Sequence, residues 1–361
     1  MTKKFEVNSN RNYGIDLLRI VSMFMVVMLH VLGLGGILDN TYLLSANYAV
    51  AWFLEIASLC AVNCYALISG YVGYTSKHRC SSLINLSITV LFYILVITAV
   101  VYAVCPSVGI RGALSSLLHI RNGAYWYYRA YVGAFFLFPL LNIVVDKADK
   151  DQLKKALIAI LFLFSVVTMI IRNDLFSVIG GYSPLWLMVL YLLGAYMKKY
   201  GLAENKKSSK GFLVYGSAVV VTWLSLIFIA FITKKIFGRA VLEAVLANYT
   251  SPTIIISAIG LLVAFSNLNI NKTAKRVISF LSPLAFSVYL IHMQYFIRGW
   301  IDGRFVFASQ SNAFMLAIYA ILLTFAIYVV CIVIDYVRHI IFKLLRIKQI
   351  SVKIAKKIGM E

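Results

Sequence analysis

Long runs of apolar residues alternate with short polar connections along almost the whole chain. A helix that crosses about 30 Å of hydrocarbon needs roughly 20 predominantly apolar residues. Stretches near that length recur ten times, at residues 14–36, 47–73, 83–104, 125–145, 155–172, 182–198, 212–233, 251–267, 277–297 and 312–336. Because lipid cannot hydrogen-bond to the backbone, such stretches cross the membrane as helices. The pattern predicts an all-α, polytopic membrane protein with about ten transmembrane helices.

The connections between these stretches carry the positive charge unevenly. If the N-terminus is cytoplasmic, 24 of the 34 lysines and arginines lie in cytoplasmic segments and eight lie in outside loops. The cytoplasmic segments are 1–13, 74–82, 146–154 with Lys155, 198–211, 268–276 and the tail from residue 337. Cytoplasmic loops are enriched in lysine and arginine. The distribution therefore predicts that both termini are cytoplasmic.

The composition excludes a water-soluble fold. Hydrophobic residues make up 62% of the chain and charged residues 13%, and the mean hydropathy is +0.88, whereas soluble domains carry about 25% charged residues. The net charge of +21 would suggest nucleic acid for a soluble protein. Cytoplasmic positive charge accounts for it here, and no nucleic-acid partner is expected. The five cysteines form no CxxC pair and no cluster with histidine, so no metal site is predicted.

Residues 1–361 are expected to form a single membrane domain, because no repeat, linker or domain-sized loop interrupts the apolar pattern. The segment 337–361 contains the basic, amphipathic sequence RHIIFKLLRIKQISVKIAKKIG. Such a segment is typical of a helix on the anionic inner leaflet, so membrane lipid is an expected partner. The expected location is a bacterial cytoplasmic membrane.

Three ionisable residues interrupt the first apolar stretch: Asp16, Arg19 and His30. Charged side chains within a bilayer cost about 3 kcal/mol or more and usually mark a functional site. An interval of eleven residues places Arg19 and His30 on one helix face, about 16 Å apart along the axis. Asp16 shares that face. Two structural alternatives are an Asp16–Arg19 ion pair at the inner headgroups and an interhelical hydrogen bond from His30.

Two further ionisable residues fall at a similar predicted depth. Glu55 lies about two turns into a helix that enters from outside, and His292 lies about four turns along a helix that leaves from inside. Two imidazoles and a carboxylate at one level indicate proton-transfer chemistry in a cavity. Glu55 could alternatively pair with His30, His292 or Arg129 for packing alone. Asn63 and Ser69 are predicted to make hydrogen bonds between helices.

Five segments in order resemble the acyltransferase-3 family of integral membrane acyltransferases. They are IDLLRIVSMFMVVMLH (15–30), AVNCYALISGYVGY (61–74), YWYYRAYVGAFFLFPLLN (125–142), PLWLMVLYLLGAYMKKYG (184–201) and FSVYLIH (286–292). The segments are spread across nearly the whole chain. The sequence also resembles the membrane part of vancomycin-resistance serine racemases. Where many family members carry paired arginines after Ser69-Gly70, this chain has Lys77 and Arg79.

The resemblance implies O-acetyltransferase-type chemistry. An acyl group, usually acetyl from cytoplasmic acetyl-CoA, would move to a hydroxyl group, sometimes an amine, of a cell-surface glycan or a lipid-linked precursor. Acetyl-CoA is then the acyl donor, and no metal is required. The sequence is compatible with a homo-oligomer.

The ionisable residues of the membrane stretches can be given roles in this chemistry. His30 would act as a general base on the acceptor or as a covalent acyl relay, and Glu55 would orient its imidazole. His292 is a second candidate for proton transfer or acceptor binding. Arg19 would contact the phosphates of the donor, whose long arm would run past Ser22, Met23 and Val26 toward His30.

Further binding residues lie outside the first helix. Lys77 and Arg79 are candidates for additional contacts with the donor phosphates. Trp126 and Tyr127 could stack on a sugar ring, although an interfacial aromatic belt is an equally simple explanation. Arg129 could bind an acidic acceptor or the oxyanion.

Two other functional classes are compatible with charges inside a membrane. A secondary transporter of a small polar solute such as serine is one alternative, but transporters commonly show inverted repeats and paired broken helices, which this sequence does not indicate. A sensor or scaffold without turnover is another, and the grouped ionisable residues argue against it.

Overall fold

A computed structural model describes residues 11–118, 120, 125–241 and 243–360. The first ten residues of the predicted cytoplasmic N-terminal segment, and Glu361 at the end of the tail, lie outside this range. The α-helices of the described residues are α1 (Tyr13–Leu32), α2 (Ala46–Leu59), α3 (Ala61–Gly73), α4 (Cys80–Val104), α5 (Gly109–Leu117), α6 (Trp126–Phe135), α7 (Phe138–Lys147), α8 (Lys150–Leu161), α9 (Thr168–Ile171), α10 (Pro184–Lys199), α11 (Ser208–Phe237), α12 (Pro252–Ser266), α13 (Lys272–Leu281), α14 (Ala285–His292), α15 (Tyr295–Ile301), α16 (Ala313–Leu344) and α17 (Ile347–Lys357). The fold is all-α over the described residues.

Seven helical segments of the described chain are long and apolar enough to cross a membrane. They are Tyr13–Leu32, Ala46–Gly73, Cys80–Val104, Lys150–Ile171, Ser208–Phe237, Lys272–His292 and Ala313–Leu344. The pair α6 and α7, which is bent by 53°, adds an eighth span if it is counted as one. The protein is therefore a multi-pass membrane protein, as predicted. The expected number of ten depends on two shorter helices, α10 with 16 residues and α12 with 15.

The two shorter helices lie among other helices. α10 packs against α3, α6, α7 and α8, while α12 packs against α1, α3 and α11. Contact between α3 and α10 is close: a Cβ atom on Gly70 would lie 1.9 Å from the carbonyl oxygen of Tyr191, and one on Gly194 would lie 2.2 Å from that of Leu67. Small residues allow such backbone contact between membrane helices. A helix surrounded by protein does not have to match the full hydrocarbon thickness, which explains why these two helices are shorter than the others.

Helix α1 occupies the centre of the bundle. It contacts α2, α3, α12, α13, α14 and α16. Of its most apolar 18 residues, 61% are buried. The span Lys150–Ile171 is only 11% buried and therefore faces the surroundings of the protein. Ionisable residues on α1 thus lie inside protein, where hydrogen-bonding partners can reach them.

Two helix breaks shape the interior. α7 follows α6 after a break that lies before Pro139, which occupies the first turn of α7 and has no N–H to donate. α14 ends at His292, and α15 begins after Gln294, whose side-chain Oε1 accepts from the backbone N–H of Phe296 at 2.9 Å. The buried amide of Gln294 donates to Oγ of Ser116 at 2.7 Å. This break is therefore fixed by hydrogen bonds directly after His292.

The C-terminal segment is helical. Residues 337–344 continue α16, and α17 packs against α4 with Ser351 and Ala355 buried. Arg338, which the sequence assigned to the basic tail, is buried in an ion pair with Asp335. The lysines of α17 remain exposed, so contact of this segment with membrane lipid stays a prediction.

Candidate active site

Two histidines that are 262 positions apart in the sequence meet inside the helix bundle. His30 lies in the last turn of α1, and His292 is the last residue of α14. Nδ1 of His30 lies 2.8 Å from Nε2 of His292, and the ring centroids are 5.0 Å apart. His292 is fully buried. The structure therefore joins two of the residues that the sequence singled out.

The hydrogen-bond partners define which ring nitrogens carry protons. Nδ1 of His292 lies 2.6 Å from the carbonyl oxygen of Val288, which can only accept, so this nitrogen is protonated. Nε2 of a neutral His292 then accepts from Nδ1–H of His30. Nε2 of His30 is left with a lone pair and, within the described part of the chain, no hydrogen-bond partner. His30 thus presents a basic nitrogen to a ligand.

A narrow chamber lies beside His30 and has a cavity volume of about 30 Å³. Its walls come from α1, α3, α6, α14 and the connection before α12: Met23, Val26, Leu29, His30, Val62, Tyr65, Trp126, Tyr127, Tyr249, Phe286 and Tyr289. The walls are mostly apolar and aromatic. In such surroundings hydrogen bonds are stronger than in water, and an unpaired polar group is costly. A ligand in the chamber would meet the imidazole of His30 in a largely apolar setting.

One face of α1 leads from Arg19 to the chamber. Met23 and Val26 follow Arg19 by four and seven residues, and both line the chamber next to His30. Positions at these intervals share a helix face. Ser22 is buried but does not line the chamber, and its Oγ has no hydrogen-bond partner among the described residues. The face connects the charged end of α1 with the paired imidazoles.

Arg19 forms the ion pair with Asp16 that the sequence offered as a structural alternative. Nη1 of Arg19 lies 2.6 Å from Oδ1 of the buried Asp16. The other carboxylate oxygen of Asp16 pairs with Nε of Arg11. The side chain of Arg19 remains 30% exposed. One acid therefore holds two guanidinium groups together, and both retain hydrogen atoms for another anion.

Glu55 lies on α2 and does not line the chamber. The hydrogen bond of His30 Nδ1 goes to His292, not to the carboxylate that the sequence assigned to it. Oε2 of Glu55 is buried and has no hydrogen-bond partner in the described chain. Glu55 lies near the phenols of Tyr182 and Tyr249. Because Tyr249 lines the chamber, a carboxyl group with an unpartnered oxygen lies close behind this wall.

The predicted acceptor-binding residues divide into two groups. Trp126 and Tyr127 line the chamber, and the Trp126 ring stacks at 6.2 Å on the ring of Tyr249. Arg129 is exposed on α6, and its charge acts on the phenol of Tyr289. The two aromatic residues are therefore part of the interior wall, whereas Arg129 lies outside it.

Lys77 and Arg79 are exposed in the irregular connection between α3 and α4. Between them, the ring of His78 packs on Phe135 at 4.0 Å between centroids, and burial lowers the pKa of His78. The connection thus contacts the end of α6, the helix whose beginning forms part of the chamber wall.

Asn63 holds part of the chamber wall in place. Its Nδ2 donates to the carbonyl oxygen of Tyr249 at 2.7 Å, and its Oδ1 accepts from Nε1 of Trp186 at 3.1 Å. The predicted interhelical hydrogen bonds of Asn63 are therefore confirmed. The prediction for Ser69 is wrong, because its hydroxyl donates to the carbonyl oxygen of Tyr65 in the same helix.

Sequence reasoning missed several residues at this site. Arg298 of α15 lies close enough to His30 for its charge to act on the imidazole. Arg298 lies only six residues after His292, and this short interval was the available sequence signal. The helix breaks after His292, and α15 brings Arg298 back toward the histidine pair. Tyr249 and Tyr65 carry no sequence signal of their own, because tyrosines are abundant throughout this chain.

The comparison with protein families covers most of the chain. A family model described as "Acyltransferase domain", Acyl_transf_3, matches residues 12–336, a range that contains the chamber, His30 and His292. No curated protein matches the chain, and no solved structure matches it. Among the described residues, no three histidine, cysteine, aspartate or glutamate side chains are arranged to hold a metal. The chain belongs to the acyltransferase-3 family and is a multi-pass membrane acyltransferase.

Proposed function

We propose that this protein transfers an acyl group, acetyl in the first instance, from a cytoplasmic coenzyme A thioester to a hydroxyl group. The acceptor is a cell-surface glycan or a lipid-linked precursor. The observation that carries this proposal is the pair His30–His292, which leaves Nε2 of His30 basic beside a narrow chamber. The family supports acyl transfer in general; donor, acceptor and residue roles are the proposal.

The donor enters along the face of α1. Arg19 binds its phosphates, since guanidinium groups suit phosphate oxygens, and Lys77 and Arg79 add positive charge at the same cytoplasmic side. The thin pantetheine arm then passes Met23 and Val26, which line the chamber. Arg19 and His30 are about 16 Å apart along the helix axis, so the donor reaches the imidazole only with an extended arm.

His30 acts as general base in the transfer. Its Nε2 accepts the proton of the acceptor hydroxyl while the hydroxyl oxygen attacks the thioester carbonyl. The tetrahedral intermediate collapses, the C–S bond breaks, and the leaving thiolate takes the proton from His30. The products are an ester of the acceptor and the free thiol of coenzyme A. In an alternative sequence, Nε2 attacks the thioester carbonyl and the C–S bond breaks, which releases the thiolate of coenzyme A. The acceptor hydroxyl then attacks the acyl-imidazole, gives its proton to the thiolate and releases the imidazole.

His292 positions the base and shares its charge. By accepting from Nδ1–H of His30, it fixes the tautomer that leaves Nε2 basic. The bond from His292 to the carbonyl oxygen of Val288 fixes the second ring in turn. A third group that orients a catalytic imidazole works in the same way in known triads.

The acceptor side involves the aromatic wall and the carboxylate behind it. Trp126 and Tyr127 offer ring faces to a sugar, while Glu55 supports the wall from behind through Tyr249. Arg129 and Arg298 supply positive charge for an acidic acceptor or the oxyanion.

A transfer assay with purified protein tests the proposal. The protein is reconstituted in vesicles with acetyl-labelled coenzyme A on one side and extracted envelope glycans or lipid-linked precursors on the other. We expect free coenzyme A thiol and labelled acceptor to appear in equal amounts. Label or serine that accumulates inside vesicles as free solute, without thiol release, would instead favour the transporter and contradict the proposal.

A further inference from the structure

A second polar cleft lies at the N-terminal end of α1, away from His30. It has a volume of about 420 Å³ and opens between the start of α1 and the connection from α12 to α13. The residues that matter here are Arg11, Tyr13, Asn269 and Lys275, all of which line it. We refer to these four residues as the Tyr13 cleft.

Two cations in the Tyr13 cleft converge on one aromatic ring. The guanidinium carbon of Arg11 lies 5.3 Å from the ring centroid of Tyr13, and Nζ of Lys275 lies 5.5 Å from the same centroid. Each distance is within the range of a cation–π contact. The ring therefore contacts two positive charges in the cleft, and a bound anion would lower their mutual repulsion.

The acidic residues of the described chain do not balance this charge. Asp16 is shared between Arg11 and Arg19, so one negative charge faces two positive ones. Lys275 forms no ion pair with an acidic residue of the described chain. Asn269 is exposed and lines the cleft with its amide group. The cleft thus combines excess positive charge with free donors, which is the chemistry that binds phosphate esters.

The shared carboxylate links this cleft to the donor path. Because Arg11 and Arg19 bind the two oxygens of Asp16, a chain of contacts runs from Lys275 through Tyr13 and Arg11 to Arg19. From Tyr13 to His30 the axis of α1 extends about 26 Å. A molecule that touches both ends must be long, with phosphates at one end and the reactive group at the other.

We propose that the Tyr13 cleft binds the phosphates at the nucleotide end of the acyl donor, with Arg11 and Lys275 as the contacts. This inference rests on the proposed transfer from coenzyme A and locates the donor's nucleotide end on α1 and α13. Lys77 and Arg79 are then not needed for this contact. Anionic lipid headgroups carry the same phosphate chemistry, so the test has to separate the two sources.

Binding of adenosine 3′,5′-bisphosphate, the nucleotide end of coenzyme A, tests the site directly. The full-length protein is placed in nanodiscs of zwitterionic phosphatidylcholine and titrated calorimetrically. In Lys275→Ala we expect about tenfold weaker binding than in the wild type, as for the loss of one charge-assisted contact, and Lys275→Arg should restore most of it. Lys272→Ala, one turn away on α13 but outside the cleft, is the matched control and should bind like the wild type.

A comparison of two donors separates this inference from the proposed function. Acetyl-CoA carries the nucleotide and acetyl-pantetheine lacks it, so the preference for acetyl-CoA in kcat/KM should fall about tenfold in Lys275→Ala and remain in Lys272→Ala. If the wild type transfers from both donors and Lys275→Ala keeps the full preference, the inference is overturned while the proposed function stands. If no donor is used but bisphosphate binding depends on Lys275, the site stands and the transfer proposal fails.

The lipid source is tested by repeating the titration in nanodiscs that contain phosphatidylglycerol. If Lys275→Ala still weakens binding of the bisphosphate in these nanodiscs, the result supports the donor site. If Lys275→Ala weakens only the retention of phosphatidylglycerol and leaves bisphosphate binding unchanged, the cleft is a headgroup site and the inference is wrong.

Discussion

Two buried polar clusters of this protein differ in how fully their hydrogen-bonding atoms are used. One is the pair His30–His292 on α1 and α14; the other joins Asp335, Arg338 and Tyr93 on α16 and α4. Both place ionisable side chains inside a membrane protein, where each is expensive. Burial and charge therefore do not distinguish a reactive site from a structural one here.

Hydrogen-bonding capacity does distinguish them. Nε and Nη2 of Arg338 donate to the two oxygens of Asp335 at 2.7 and 2.9 Å, the hydroxyl of Tyr93 donates to the same carboxylate, and the guanidinium packs on the ring of Phe342 at 4.8 Å. This cluster closes on itself. The histidine pair instead leaves one basic nitrogen beside a chamber. In this protein, a hydrogen-bonding atom that has no protein partner and lies beside a chamber indicates the reactive site.

Breaking the closed cluster should give the largest loss of stability. Asp335→Ala leaves the guanidinium of Arg338 buried without its partner, and the loss of one partner of a buried pair costs about 3–5 kcal/mol. We expect the free energy of unfolding in detergent micelles to fall by that amount, with transfer per folded molecule unchanged. Asp39→Ala, which removes an exposed carboxylate, is the control and should unfold like the wild type. A stable Asp335→Ala protein without activity would reverse the roles assigned to the two clusters.

Loss of the positioning histidine should reduce turnover per folded molecule, beyond any loss of stability from removing a buried side chain. His292→Ala removes the acceptor of His30 Nδ1–H, so the base loses its fixed tautomer, and kcat should fall about a hundredfold. His292→Gln offers a side-chain oxygen to the same N–H and should retain more activity. His339→Ala, an exposed histidine on α16, serves as control. Equal activity of the alanine and glutamine variants would show that the hydrogen bond is not what matters.

Glu55 lies between the two cases, with a buried oxygen but no partner. Glu55→Gln keeps the shape and replaces the carboxyl group by an amide, so the free energy of unfolding should change by no more than about 1 kcal/mol. Acceptor KM should rise, because Tyr249 of the chamber wall loses the carboxyl group behind it, while donor KM stays the same. An unchanged acceptor KM would assign Glu55 to packing alone.

The smallest effect is expected at an exposed ion pair. Lys198 donates to Glu204, which also accepts from the hydroxyl of Tyr71 at 3.0 Å, and the hydrogen bond from Lys198 lowers the pKa of Glu204. A carboxyl with a lowered folded pKa adds stability above its unfolded pKa, and this stability disappears as the pH falls through the folded pKa. Wild type and Glu204→Gln should therefore differ slightly at neutral pH and converge in acid, as followed by thermal unfolding. A difference that grows in acid would contradict this assignment.

The sequence predicted the membrane helices and the residues of the histidine pair, because apolar length and intramembrane charge are local signals. It did not predict that His30 would bond to His292 instead of Glu55, since this contact spans 262 positions and depends on how α14 ends beside α1. The same holds for Arg298, which a helix break brings back toward His30. Helices α10 and α12 are short because they pack among other helices. The length of an apolar stretch does not show which helices surround it, so their shortness could not be predicted from the sequence.

The central claim is that Nε2 of His30 is the base for acyl transfer. The direct test is kcat for release of coenzyme A thiol with acceptor present, compared between wild type and His30→Ala at equal amounts of folded protein. The account predicts that kcat falls by about 10²–10⁴, as for loss of a general base, while the free energy of unfolding changes little. Full transfer activity in folded His30→Ala would contradict it.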